Sequence, residues 1–237
     1  MSTAVAESVS VSSSPLPFLL RRLHSLTGIL FGSYLVIHLM VNATLIEGVR
    51  HPGSPAVFAE QVQKIHSLPF LVAIEWTMIY LPILFHGIYG TWIALAGQPN
   101  AVNYPYRSNW YYLLQRLSSI IIVLFMLFHI LGFKGVFGPS LAFDPSEAHS
   151  VASVERHFQF HWSLLYIVYP LGVLASCFHT ANGFRGAAIA WGLTVSKASM
   201  TRWNLVCVAI FIAMMACGFT ALVAVAGMEP MAGVGGR

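Results

Sequence analysis

An all-α membrane protein, with five transmembrane helices in one bundle, is the fold class that this 237-residue sequence predicts, on three observations. Only 8% of the residues are charged and 57% are hydrophobic, against about 25% charged in an ordinary soluble domain. Five apolar runs, Leu23–Ile46, Leu68–Ala96, Trp110–Phe137, Trp162–Trp191 and Trp203–Ala226, each exceed the roughly 20 residues a helix needs to cross about 30 Å of hydrocarbon. No run alternates with period two, and barrel strands are only about 10 residues long, so a β-barrel is excluded.

Taken in order, Met1–Pro17 is rich in Ser, Ala and Val, without a basic start or a continuous apolar stretch. It reads as a disordered cytoplasmic tail rather than a signal peptide. Residues 18–228 form the transmembrane domain, and 229–237 a short outer tail. The loops Glu47–Ser67 and Gly138–Phe160 are the longest connections, carry Pro, Gly and acids, and leave room for a short surface helix or a capping lid. With the N-terminus inside, the inner side collects Arg21, Arg22, Arg107, Arg116, Arg185, Lys197 and Arg202. The outer side has Arg50, Lys64, Lys134, Arg156 and Arg237 together with most of the acids. This bias has the direction expected of a multi-pass protein. No repeat of fixed period, dinucleotide fingerprint or phosphate loop is evident, and nothing indicates nucleic-acid binding. Cys177, Cys207 and Cys217 lie inside helices without paired spacing, and read as small apolar residues rather than a disulfide or metal framework.

Four histidines, His38, His86, His129 and His179, stand one each in the first four apolar runs, every one in the second half of its run. Because successive helices alternate in direction, His38 and His129 fall at one depth, and His86 and His179 at the other. Counted at about 1.5 Å per residue, His38 lies about 22 Å from Leu23 and His129 about 28 Å from Trp110, both toward the outer face. His86 is about 27 Å from Leu68 and His179 about 25 Å from Trp162, both toward the inner face. Ionisable groups inside a bilayer are costly and mark function. Facing imidazoles at one depth suit ligation of a haem iron from both sides. The bland alternative is hydrogen bonding between helices. Four histidines at two matched depths favour two stacked bis-histidine b haems, His38 with His129 on the outer and His86 with His179 on the inner.

Haem also requires small neighbours and partners for its propionates. Gly28 and Gly32, Gly87 and Gly90, Gly132, Gly172 and Gly183 would let backbone and macrocycle approach, or would serve small-residue helix packing. Arg22, His24 and Ser25 at the inner end of helix one, with Gln115 and Arg116 on helix three, form a cationic, hydrogen-bonding cluster suited to inner-haem propionates. Ordinary positive-inside anchoring is the competing reading for the arginines.

The stretches Arg21-Arg22-Leu23-His24-Ser25-Leu26-Thr27-Gly28, His38-Leu39-Met40-Val41-Asn42, Ser67-Leu68-Pro69-Phe70 and Leu81-Pro82-Ile83-Leu84-Phe85-His86-Gly87-Ile88-Tyr89-Gly90 carry a family resemblance. It continues through Asn109-Trp110, Leu114-Gln115-Arg116, His129, Phe178-His179-Thr180-Ala181-Asn182-Gly183 and Trp191-Gly192-Leu193-Thr194-Val195. In order, over roughly residues 18 to 205, the chain resembles the cytochrome b membrane-anchor subunit of succinate dehydrogenase and fumarate reductase. The likeness is to the single-chain, five-helix, two-haem form, especially the succinate:menaquinone type. The resemblance implies a subunit of succinate:quinone oxidoreductase in a bacterial cytoplasmic membrane. Beneath it would dock a flavoprotein carrying FAD and a subunit carrying iron–sulfur clusters, on the cytoplasmic face. Electrons would pass through two b haems to a quinone, with menaquinone implied; a higher oligomer is left open.

Two departures bear on proton transfer. Cys177 stands two residues before His179, where some fumarate reductases of this form carry a glutamate, and His66 stands where the close pattern has an aspartate. A quinone site is expected on the outer side, where Glu60, His66 and Glu75 offer proton donors beside Leu68, Pro69 and Phe70. The inner side, by Ser25 and Arg116, is the competing location. The other readings are a di-haem subunit of a nitrate reductase, formate dehydrogenase or hydrogenase, the same complex working as quinol:fumarate reductase, and a transporter or assembly factor with structural histidines.

Overall fold

A computed structural model describes residues 15–50, 57–146 and 148–228. The tail up to Ser14 and the tail from Glu229 lie outside the described residues, and so do the expectations that concern them. The described chain is helical, without strands: α1 (Leu16–Ala43), α2 (Leu45–Arg50), α3 (Val57–His66), α4 (Leu71–Glu75), α5 (Leu81–Ala96), α6 (Arg107–Phe133), α7 (Ser150–Gln159), α8 (Tyr169–Ala190) and α9 (Lys197–Ala226). Five helical stretches are long and apolar enough to cross a membrane: Leu16–Arg50, Leu71–Ala96, Arg107–Phe133, Leu164–Ala190 and Lys197–Ala226. Their outward faces carry large apolar side chains such as Ile88, Trp92, Leu124, Leu205 and Ile212, all more than 60% exposed. A surface of that kind is tolerable only where lipid covers it.

Several ends differ from the apolar runs, for local reasons. The first helix starts at Leu16 rather than Leu23, with Pro15 at its N-cap, where a missing N–H costs nothing. The second span starts at Leu71 rather than Leu68, because Phe70 turns the chain in the left-handed region at φ 58°. The third closes at Phe133, ahead of Gly135 at φ 74°. The fifth begins at Lys197, six residues before its apolar run, because Ser196 starts it with a capping box. Ser196 Oγ accepts the Ser199 N–H at 3.1 Å, and Ser199 Oγ accepts the Ser196 N–H at 3.0 Å. Two spans contain a wider π turn, Trp76–Tyr80 and Leu164–Val168, each running into a proline, Pro82 or Pro170. Proline has no N–H to donate and crowds the carbonyl four residues back, and a π turn absorbs that misfit.

Packing defines a ring of four helices. α1 packs on α5, α5 on α6, α6 on α8 and α8 on α1, while α9 lies along the groove between α1 and α8. α1 and α6 therefore stand diagonally opposite, as do α5 and α8. Each helix of this ring carries one of His38, His86, His129 and His179, whereas α9 carries no histidine.

The long connections supply a cap at the end of the bundle where α1 finishes. On α3 the buried residues are Phe58, Ala59 and Val62, and on α7 they are Ser150, Ser153, Val154, His157 and Phe158, the spacing of one helical face. These two helices pack on each other, α3 also on α1 and α7 on α9. The principal apolar core lies beneath them and includes Leu39, Leu45, Leu164, Tyr169, Val173, Met214 and Leu222. The approach to α7 is pinned locally: the Asp144 N–H donates to Ser153 Oγ at 3.1 Å, and the Asp144 carboxylate accepts the Ser146 N–H at 2.9 Å. That bond holds the Asp144 carboxyl below the usual range.

Ser196→Ala should remove the capping box of α9 and cost about 1 kcal/mol, whereas Ser196→Asp should retain most of the stability. Thermal unfolding in detergent checks this, and equal midpoints for parent and Ser196→Ala would disprove the capping role.

Candidate functional site

The ring places one imidazole pair across each diagonal. His38 on α1 meets His129 on α6 with ring centroids 5.9 Å apart and planes 89° apart. His86 on α5 meets His179 on α8 at 6.1 Å and 86°. Because the diagonal helices are not packed on each other, the side chains reach inward from both sides.

The ring nitrogens are oriented by what they touch. His86 Nδ1 lies 2.9 Å from the His24 carbonyl. A carbonyl only accepts, so Nδ1 carries the proton and the Nε2 lone pair is left free. His179 Nδ1 is 3.3 Å from the Gln115 carbonyl and 3.3 Å from Ser118 Oγ. The Ser118 hydroxyl gives its own proton to the same carbonyl at 3.0 Å, and so acts as acceptor toward the ring. In the second pair His129 Nδ1 lies 3.1 Å from Tyr169 Oη, and His38 Nδ1 lies 3.4 Å from Tyr34 Oη. The Asn42 amide donates to the His38 carbonyl at 2.8 Å and passes His38 Nε2 at 3.4 Å. An imidazole with Nδ1 held by an oxygen and a second imidazole opposite it is oriented as metal-ligating histidines are.

These residues fit a haem. Metal–imidazole bonds of about 2 Å, one on each side of a metal, put ring centroids a little over ~6 Å apart, close to both observed spacings. Among the described residues no three His, Cys, Asp or Glu side chains converge on a metal site, so each pair offers two ligands, the number an iron already held by a macrocycle needs. Gly28 supports the fit independently. A Cβ there would lie 2.6 Å from His86 Cε1, so glycine is what lets the His86 ring approach α1.

The expected inner-end residues gather around the His86 and His179 pair, mostly on protein partners. His24 stacks on His86 at 4.0 Å with planes 9° apart, and its buried Nε2 has no partner. Ser25 Oγ accepts from Trp191 Nε1 at 3.0 Å. Arg22 reaches the Ala190 carbonyl and lies over the Phe18 and Trp191 rings. Gln115 donates to the His179 carbonyl at 3.1 Å and accepts from Asn182 Nδ2 at 2.7 Å. Arg116 donates to the Ala94 and Ile93 carbonyls at 2.6 and 3.1 Å and lies over Tyr112, which ties the end of α5 to α6. Glu60, His66 and Glu75 are not brought into one cluster. Glu60 pairs with Lys64 at 2.6 Å on the exposed face of α3, His66 is exposed at its end, and half-buried Glu75 ends α4.

The residues that sequence reasoning passed over are Tyr34, Ser118, Tyr169 and His157. Tyr34 precedes His38 by one helical turn and was open to detection on that spacing. Tyr169 and His157 come together only through the fold: Tyr169 Oη lies 2.8 Å from Nε2 of fully buried His157. Burial pushes the His157 imidazole down to about 4, so the ring is neutral.

The fold and these paired histidines define a multi-pass helical membrane protein with two internal bis-imidazole sites. The succinate dehydrogenase cytochrome b558 subunit of Bacillus subtilis (strain 168) is 34% identical over 210 residues, spanning 87% of this chain and 96% of that protein. No family model matches. The chain belongs to the family of succinate dehydrogenase cytochrome b subunits and is a membrane component of complex II.

Gly28→Val is expected to displace the His86 ring and to lower haem bound per chain, read by pyridine haemochrome. Gly87→Val, where a side chain meets nothing within 4 Å, should leave it unchanged. Equal haem content in both variants would remove Gly28 from the site.

Proposed function

We propose that this chain is the anchor and electron-transfer subunit of a succinate:quinone oxidoreductase, working from succinate toward a menaquinone-type quinone. The observation that carries this reading is the pair of crossed imidazole couples, at 5.9 and 6.1 Å, across the two diagonals of one helix ring. Bound there, two b haems supply one-electron carriage between a partner subunit and a quinone. His38 and His129 would hold the outer haem, and His86 and His179 the inner one. The His24 and Gln115 carbonyls fix the tautomers that leave Nε2 of His86 and His179 for iron, and the Tyr34 and Tyr169 hydroxyls stand at Nδ1 of His38 and His129. His24, with its unpartnered Nε2, is the first choice for a propionate contact; Arg22, Ser25, Gln115 and Arg116 frame the same end.

In this reading the N-terminus of α1 faces the cytoplasm of a bacterium, and a flavoprotein and an iron–sulfur subunit dock at that end. The basic residues on that side support this orientation. The quinone is assigned to the opposite end, near His66 and the apolar Leu68, Pro69 and Phe70. His66 is exposed there and sets an imidazole beside that apolar wall.

His129→Leu should abolish the outer haem and leave the inner one, lowering the reduced b-type α band by roughly half. Retention of both haems with bis-histidine spectra would sink the ligand assignment. His66→Ala should lower quinone reduction about tenfold, equivalent to about 1.4 kcal/mol in the barrier, while succinate oxidation by a dye that takes electrons upstream stays normal. Unchanged quinone turnover would move the site elsewhere.

A further inference from the structure

A buried chain of hydrogen-bonding groups runs from the bundle into the cap. It begins at His129 Nδ1 on α6, passes 3.1 Å to Tyr169 Oη at the start of α8, and continues 2.8 Å to Nε2 of His157 on α7. Tyr169 is 6% and His157 1% exposed. The His157 ring is clamped: it stacks on Phe133 at 4.1 Å with planes 16° apart, and a Cβ on Gly132 would lie 2.7 Å from its Cε1. Tyr169 is held by Phe158 and Phe125, with ring centroids at 4.4 and 5.2 Å.

Only one ordering of protons along this chain leaves His129 able to bind a metal through Nε2. His129 Nδ1 must then carry the hydrogen and donate to Tyr169 Oη, and the Tyr169 hydroxyl must donate to His157 Nε2. In the opposite order Tyr169 donates to Nδ1, the His129 hydrogen moves to Nε2, and the lone pair is lost. His157 Nε2 is therefore the acceptor that sets the direction, and His157 carries its hydrogen on Nδ1, a buried nitrogen that meets no hydrogen-bond partner among the described residues in either tautomer. From this we infer that Tyr169 and His157 are positioning residues for the outer haem: together they hold His129 in its ligating tautomer and make its imidazole a stronger electron donor to iron. An imidazole whose N–H is accepted by a neighbour is a more basic ligand, and a more basic ligand favours the ferric state. The cap helix α7 is thereby tied to the reduction potential of a group inside the bundle.

The inference rests on the assignment of His38 and His129 as haem ligands, and the test separates the two. In the intact complex, the haem count and the low-spin signals of the parent and of His129→Leu examine the ligand assignment. Tyr169→Phe, His157→Phe and His157→Gln then examine the positioning role by redox titration and low-temperature electron paramagnetic resonance. Tyr169→Phe should keep both haems, raise the midpoint potential of the outer one and move its low-spin g values, with the inner haem unaltered. His157→Phe, which leaves the Tyr169 hydroxyl without an acceptor, should shift the outer potential in the same direction. His157→Gln, whose Oε1 can accept, should restore much of the parent value. Should Tyr169→Phe perturb the tier too far to retain haem, the comparison of His157→Phe with His157→Gln decides alone. An outer potential unchanged in Tyr169→Phe, equal shifts at both haems, or no difference between the two His157 variants would overturn the inference.

Discussion

The need to pair a polar ring nitrogen in an apolar interior governs the site. A buried N–H without an acceptor costs about 1–3 kcal/mol, and lipid-facing helices supply no water to meet it. Each of the four histidines therefore stands where its Nδ1 finds a carbonyl or hydroxyl oxygen. That one contact has two effects. It makes the histidine tolerable inside the bundle, and where the oxygen can only accept it also sets the hydrogen on Nδ1 and leaves the Nε2 lone pair free. Where the acceptor is a backbone carbonyl, as for His86 and His179, the choice is dictated, because a carbonyl has nothing to donate.

The helix arrangement follows from the same requirement. Two imidazoles can face each other only from helices held apart, and the ring of α1, α5, α6 and α8 holds its diagonals apart by packing its neighbours. α9 buttresses α1 and α8 from outside and contributes no histidine. Its thirty residues need only a sound start, which Ser196 gives, and a face of small and apolar residues such as Cys207, Met214, Gly218 and Leu222. The two π turns lie on the entry sides of α5 and α8, the partners across one diagonal. There a proline in each chain path is absorbed before the ligand-bearing turns begin.

The spans and the two histidine tiers were legible because both depend on counts along single helices: apolar length, and position within that length. The ends were less legible, since they depend on individual contacts. α9 begins at Lys197 because Ser196 and Ser199 cap its first turn, a signal that an apolar window does not register. The arginines show a different limit. Arg116 was recognisable as a cation at the inner end, but that its guanidinium ties down the Ala94 and Ile93 carbonyls of α5 depends on a turn 22 residues away. His157 was not legible at all. Its neighbours in sequence describe an ordinary amphipathic surface helix, and its meeting with Tyr169 requires the loop between α6 and α8 to fold back over the bundle.

The tiers also differ in what holds them, and that difference has a consequence for tuning. Around His86 and His179 the acceptors are main-chain carbonyls of His24 and Gln115, joined by the Ser118 hydroxyl. No substitution removes a carbonyl, so that tier is adjusted chiefly by moving α1 or α6 relative to the rings, or by groups such as His24 that stack on them. Around His38 and His129 the Nδ1 partners are the Tyr34 and Tyr169 hydroxyls. Each can be deleted by one substitution to phenylalanine that keeps the ring's packing. The first tier is thus set by the fold and the second by replaceable side chains. Chemical adjustment by sequence change is accordingly concentrated at the end of the bundle beneath the cap, where α7 delivers a further buried imidazole to the same chain of bonds.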